Sequence, residues 1–309
     1  MTNATPQAPR HSPSARRAFG VLAVLCLMVC AADLSSAGAS PAAPRSAPRT
    51  VKDQHGWTPV TFNHGVIAVD RRAYAEPDGH TVTLYRFIAG QVRFALHTGS
   101  LDPPEVARYV GPGGAPRISR LEAPHIVAAF NGGFMVATGS GGFELNRHVY
   151  VALQGGTESL VINADGTAKV GAWGHALPLR GEAVVAVRQN LQALISGGRL
   201  SPLVGYVDAW GATENGVAVE PRSSLGIDRH GNLVYAASMA SLPVDLGVAL
   251  MSVGVVQAME LDINPGWVQL DSTPHPGGRL VAGIPSQTLP GNQYELGWTR
   301  DFVTVMAAG

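Results

Sequence analysis

Two carboxylates stand two residues apart where an apolar run ends: Glu260 and Asp262 in Val255-Val256-Gln257-Ala258-Met259-Glu260-Leu261-Asp262. On a strand, side chains alternate between faces, so these two share one. Paired carboxylates divide acid and base work when their surroundings separate their pKa values. A carboxylate at the break of a buried strand is either a turn cap or a catalyst that steadies a cation, attacks as a nucleophile or activates water. Arg222 follows Pro221 at the start of another apolar stretch, where its side chain can point into a cleft or make a structural ion pair. A third stretch, Ile126-Val127-Ala128-Ala129-Phe130, runs into Asn131-Gly132-Gly133. Asn131 there is either a solvent-facing turn residue or a polar contact for a ligand, with Gly132 and Gly133 offering backbone amides.

Other chemistries find no support. His125, His148, His175, His230 and His275 are scattered, without the i,i+4 pairing of a metal-binding helix. Gly-x-Ser-x-Gly and phosphate-loop signatures are missing, which argues against a serine hydrolase and a nucleotidase. No metal and no cofactor is expected. The chain carries 22 basic and 22 acidic residues. Without residues 1–39, which hold Arg10, Arg16, Arg17 and Asp33, 19 basic residues face 21 acidic ones. That balance gives no electrostatic case for nucleic acid or an anionic membrane as partner. Lysine occurs only at Lys52 and Lys169, amid abundant arginine, alanine and glycine, as in a GC-rich bacterial coding sequence.

The elements that must position these residues are mostly short strands. Segments 60–69, 81–88 and 92–97 are β-type, separated by Asp78-Gly79 and Ala89-Gly90 as by hairpin turns. Pro104 opens a short helix over 104–110, and a Gly/Pro loop over 111–116 leads to the strand of Phe130. Beyond Phe134, a glycine-rich loop over 137–142 precedes Phe143-Glu144-Leu145-Asn146. Such loops carry function as often as they are surface slack. The short-strand rhythm continues through 149–153, 160–163, 169–173 and 184–187, and a short element over 190–202 ends in Ser196-Gly197-Gly198. Residues 221–228 and 233–238 read as a hairpin, and 241–252 as a helix with a Ser241 cap and a Gly254 stop. The expected fold is an α/β (α+β) protein with a mixed, strand-rich sheet core and a few packed helices.

The N-terminus reads as an export signal over 1–39. Its arginines precede an apolar run over 18–32 that is short for a membrane span, and Ala37-Gly38-Ala39 resembles a cleavage site. Arg16-Arg17 suggests a twin-arginine variant, and an uncleaved anchor is the alternative. Both cysteines, Cys26 and Cys30, lie inside this segment, so the mature chain relies on core burial rather than disulfides. Residues 40–55 form a flexible Pro- and Ala-rich linker, and a single domain follows over 56–309. The expectation is a secreted or extracytoplasmic protein with no stable membrane insertion once the signal is removed.

Three stretches together resemble the phosphodiester glycosidase family. Ala129-Phe130-Asn131-Gly132-Gly133-Phe134 is similar to that family's Asn-Gly-Gly-Phe-Phe, and Arg222-Ser223-Ser224-Leu225-Gly226 to its Arg-Thr/Ser-x-x-Gly. Ala258-Met259-Glu260-Leu261-Asp262 stands where the family has Ala-x-Asn-Leu-Asp. The likeness spans roughly residues 120–305. The family's following Gly-Gly-Gly-Ser is replaced by Ile263-Asn264-Pro265-Gly266, with Trp267 next. The resemblance implies cleavage of a sugar-1-phosphodiester in a cell-envelope or extracellular glycan. Arg222 then neutralises the phosphate, because its planar fork matches two oxygens, and Asp262 and Glu260 serve the sugar cation and water. Asn131, Gly132, Gly133, Ser223, Glu144 and Asn264 become substrate contacts, and Trp267 either stacks on a sugar ring or packs in the core. The alternative is a non-catalytic glycan-binding envelope protein on the same fold. What separates the two is whether Arg222, Asp262 and Asn131 converge on one open cleft.

Overall fold

The computed structural model describes residues 56–100, 102–103, 117–211, 216–297 and 299–309. The expected export signal, the linker and the helix and loop over 104–116 lie outside the described residues. In chain order the first strands are β1 (Thr58–Asn63), β2 (Val66–Ala75), β3 (Thr81–Phe87), β4 (Val92–His97) and β5 (Ile126–Asn131). Next come β6 (Phe143–Leu145), β7 (His148–Val151), β8 (Glu158–Asn163), β9 (Ala168–Ala172), β10 (Val184–Gln189), β11 (Ala193–Ser196) and β12 (Arg199–Leu200). Then follow β13 (Glu220–Asp228), β14 (Leu233–Ser241), α1 (Pro243–Ser252) and β15 (Val255–Glu260). The chain closes with β16 (Leu270–Ser272), β17 (Val281–Ala282), α2 (Gln293–Leu296) and β18 (Phe302–Ala307).

These strands form an eight-stranded sheet in the order β1-β2-β3-β14-β13-β15-β11-β12 and two five-stranded sheets, β7-β6-β10-β8-β9 and β17-β16-β5-β18-β4. The strand-rich core is as expected, but the helical share is small. Every paired strand runs antiparallel to its neighbour, which corrects the expected mixed sheet. Short strands joined by tight turns close antiparallel ladders without long crossovers. α1 makes a helical crossover in the large sheet, from β14 over β13 to β15.

Residues from all three sheets, among them Phe87, Phe94, Phe130, Phe143, Tyr235 and Val303, share one apolar core. A second cluster lies where Leu246, Ala249 and Leu250 of α1 meet Leu84, Ala236 and Ala258 of the large sheet.

Three local expectations change. The segment over 60–69 is two strands, because His64 and Gly65 take φ of 47° and 80° and turn the chain into a hairpin. Ala89-Gly90 joins β3 to β4, which belong to different sheets, so it is a link rather than a hairpin turn. Ser241 is the last residue of β14. The helix is capped from Leu242, whose amide donates to Asp245 Oδ2 at 2.7 Å.

Candidate active site

Four strand ends meet at one place. β18 pairs with β5 so that Phe302 stands opposite Asn131. The residues before Phe302 therefore fall beside those after Asn131. Gly132 N–H donates to Asp301 O at 2.8 Å, and Arg300 Nη2 donates to Gly133 O at 3.3 Å. On the large sheet Ser224 stands opposite Glu260. One step further, Leu261 N–H donates to Ser223 O while Ser223 N–H donates to Asp262 O. Two residues thus oppose one, a β-bulge that bends the strand and re-aims Asp262. Asp262 N–H donates to Gly132 O at 3.2 Å, which stitches the two sheet ends together.

Asp262 opens onto a cleft of about 440 Å³. Its polar lining is Thr138, Ser140, Asp208, Glu220, Asp262, Asn264 and Arg300, and its apolar lining includes Phe134, Met135, Leu191, Ile263 and Pro265. Asp262 Oδ2 lies 2.5 Å from Arg300 Nη1, and Oδ1 accepts the Asn264 amide at 2.9 Å. Burial pushes the Asp262 carboxyl up to about 6, against the pull of the Arg300 charge and the Asn264 amide. The Arg300 guanidinium lies over the Trp267 ring, 5.7 Å from its centroid. Among the described residues, Arg300 Nε and Ser140 Oγ are buried without a hydrogen-bond partner.

Arg222 does not reach this cleft. It is fully buried, with Nη1 2.8 Å from Glu260 Oε1 and further N–H donation to the carbonyls of Ser241 and Trp210. Glu260 is fully buried with it, and burial pushes its carboxyl up to about 8 against the pull of Arg222. Glu260 and Asp262 feel each other electrostatically, but the bulge has given each its own arginine. The structural ion pair is what Arg222 makes.

Asn131 is buried and spent on the fold. Its Oδ1 accepts from Tyr235 Oη at 2.7 Å and from the Gln269 amide at 3.2 Å; its Nδ2 donates to Ser223 Oγ and to Gly132 O, each at 2.9 Å. Ser223 Oγ donates onward to Asp262 O at 2.7 Å, so Ser223 supports the backbone under the carboxylate. Gly132 and Gly133 are glycines for room: a Cβ on the first would lie 1.8 Å from Asp301 Oδ2, and on the second 3.0 Å from Arg188 Cζ. The Gly132 amide is taken by Asp301 O, and the carbonyls of Gly132 and Gly133 by the Asp262 amide and Arg300, so Gly132 holds no amide open for an anion. Glu144 is half-buried on β6 and is not among the lining residues. Asn264 does line the cleft, its Oδ1 holding the Gly266 amide at 2.8 Å. Trp267 neither plugs the cleft nor sits in the core: it is half-buried and faces Arg300.

The residues that sequence reasoning missed are Arg300, Asp301, Arg188, Asn190, Asp208 and Glu220. Arg188 grips Asp301 in a fork, Nε to Oδ2 at 2.8 Å and Nη2 to Oδ1 at 3.3 Å, and also holds the Phe134 carbonyl. Asn190 accepts the Phe134 amide and donates to Glu260 O at 2.7 Å. One signal was available: Arg188-Gln189-Asn190 and Thr299-Arg300-Asp301 are polar triplets abutting apolar strands, as Asn131 and Asp262 are. Among the described residues, no three His, Cys, Asp or Glu side chains gather as a metal site.

No family model matches the chain. No curated protein matches it by sequence. Among solved structures it is similar to the catalytic domain of zebrafish N-acetylglucosamine-1-phosphodiester alpha-N-acetylglucosaminidase, auto-inhibited by its pro-peptide. That likeness has a TM-score of 0.49 at 12% identity, over 81% of this chain and 87% of that one. It is also similar to a hypothetical protein from Synechocystis, with a TM-score of 0.44 at 11% identity, over 79% of this chain and 63% of that one. Both are distant likenesses of the chain path, and the chemistry of the site is read from its own atoms.

Proposed function

We propose that the chain is a glycoside hydrolase that splits a sugar from a phosphodiester in this cleft. The observation that carries this is the Asp262–Arg300 pair, 2.5 Å apart on the wall of an open cleft. A phosphodiester is a good leaving group that needs its charge neutralised more than it needs a proton, and a guanidinium does that well. Arg300 takes the role that sequence reasoning gave to Arg222, with Ser140 Oγ as a second donor on the same cleft wall. The water oxygen bonds to the anomeric carbon as the bond from that carbon to the phosphate oxygen breaks. The electron pair leaves with the phosphate monoester. Asp262 steadies the cationic sugar and takes the proton from water. When the phosphate draws on Arg300, Asp262 loses part of its counter-charge and becomes the stronger base. The export-signal-like sequence over 1–39 supports a substrate outside the cytoplasm, in the cell envelope or an extracellular glycan.

The test is sugar release from a panel of sugar-1-phosphodiesters by residues 40–309. The parent should turn over at least one, with Asp262→Asn slower by about 10²–10⁴-fold and Arg300→Ala by about 10²–10³-fold. The withdrawal of Arg222, Glu260 and Asn131 from the cleft favours a second reading, a glycan-binding module on this fold. Absence of turnover, together with envelope-glycan binding that survives Asp262→Asn, would establish that one instead.

A further inference from the structure

The walls of the cleft differ from its charged point. Asp262 and Arg300 sit together, while most of the lining surface is hydrocarbon from residues such as Phe134, Leu191 and Ile263. The apolar character continues outward. Met135, a lining residue, is 46% exposed. Tyr206, two residues before the lining Asp208, is 69% exposed, and Val217 and Val219 are exposed just before the lining Glu220. Single exposed hydrophobic residues are ordinary on a protein surface. Here four of them stand on the segments that border one cleft. A polar glycan leaving group gains from Tyr206 alone, by stacking, whereas hydrocarbon gains from the whole rim.

We propose that the phosphodiester joins the sugar to a lipid alcohol, with the phosphate at Arg300 and the hydrocarbon tail running past Met135 toward Val219 and Tyr206. This rests on the reading of the cleft as a sugar-1-phosphodiester site. Arg300, the cation of a lining that also carries Asp208, Glu220 and Asp262, meets the negative charge of the diester, and the apolar wall meets the tail. Hydrolysis then releases a free sugar and a lipid phosphate monoester, so alkyl phosphates are product analogues that report on the tail site without requiring turnover.

The test is calorimetric binding of methyl, butyl, octyl and decyl phosphate, below their micelle concentrations, to residues 40–309. Affinity should climb along the series, by up to about fourfold for each methylene that becomes buried. The double variant Met135→Ser/Val219→Ser should flatten that climb and leave methyl phosphate binding unchanged. Arg300→Ala should weaken every member alike. A flat series with the parent overturns the tail site while leaving the phosphate site standing, and so does a climb that survives the double variant. Failure of every phosphate to bind removes the phosphate site, and with it both readings.

Discussion

Asp301 fills the space beside Gly132 so completely that a Cβ on Gly132 would lie 1.8 Å from its Oδ2. Asp301 cannot retreat, because Arg188 holds it in a buried fork and the same guanidinium carries the Phe134 carbonyl. Gly132→Ala should therefore break a buried ion pair, at a cost on the order of 3 kcal/mol in urea unfolding. Loss of cleft function should accompany it. An alanine variant as stable as the parent would show that this junction is loose.

Asn131 satisfies four groups, from Tyr235, Gln269, Ser223 and Gly132. Removing its amide in Asn131→Ala orphans buried groups at about 1–3 kcal/mol each. Stability should fall accordingly, while turnover per folded molecule falls far less than in Asp262→Asn, because Asn131 reaches Asp262 only through Ser223 and Gly132. The reverse pattern, intact stability with lost turnover, would return Asn131 to the substrate.

That outcome bears on what a sequence can show. Asn131, Arg222 and Asp262 stood out because each marks an abrupt polar break beside an apolar strand, and all three lie at the convergence of strand ends. Which of them faces the cleft depends on partners far away in the chain. Tyr235 is 104 residues from Asn131 and Gln269 is 138. The strand-by-strand rhythm was legible from turn residues and β-type runs. The bulge at Leu261-Asp262 was not, because nothing local says that Ser223 will meet two residues instead of one. Arg300 was hidden for a similar reason: its place beside Asp262 follows from the pairing of Phe302 with Asn131, a register set by two distant strands.

Trp267 lies against the Arg300 guanidinium, with its ring centroid 5.7 Å from Cζ. A cation–π contact contributes about 0.5–2 kcal/mol, so Trp267→Leu should raise KM by about twofold to thirtyfold. In an Arg300→Ala background the same change should have little further effect, since the group it positions is gone. Full additivity in that double-mutant cycle would mean that Trp267 touches the substrate itself.

Several buried carboxyls bind their protons more tightly in the fold than in the unfolded chain. Burial raises Glu260 to about 8, Glu158, Asp271 and Glu76 to about 7, and Asp262 to about 6, from ordinary values of 4.5 for Glu and 3.8 for Asp. Between about pH 4 and 8 the folded state therefore holds more protons than the unfolded one, and stability falls as pH rises. Thermal unfolding followed from pH 4.5 to 8.5 should show a declining midpoint. Glu158→Gln should lessen the decline, because its partner Gln257 Nε2 retains an amide oxygen to bond. A midpoint that rises across this range would contradict the assignment.

Asp262 should also govern the pH dependence of turnover. As the group that accepts a proton from water it must be ionised, so kcat/KM should rise with pH and level off above about 6. The Arg300 charge, 2.5 Å away, holds that carboxyl below where burial alone would put it. Replacing the cation with neutral glutamine in Arg300→Gln should therefore move the acid limb to higher pH, besides lowering the plateau. The Asp262→Asn variant should lose the limb altogether and run flat at its residual rate. If the limb stays in place in Arg300→Gln, the titrating group is a different carboxylate.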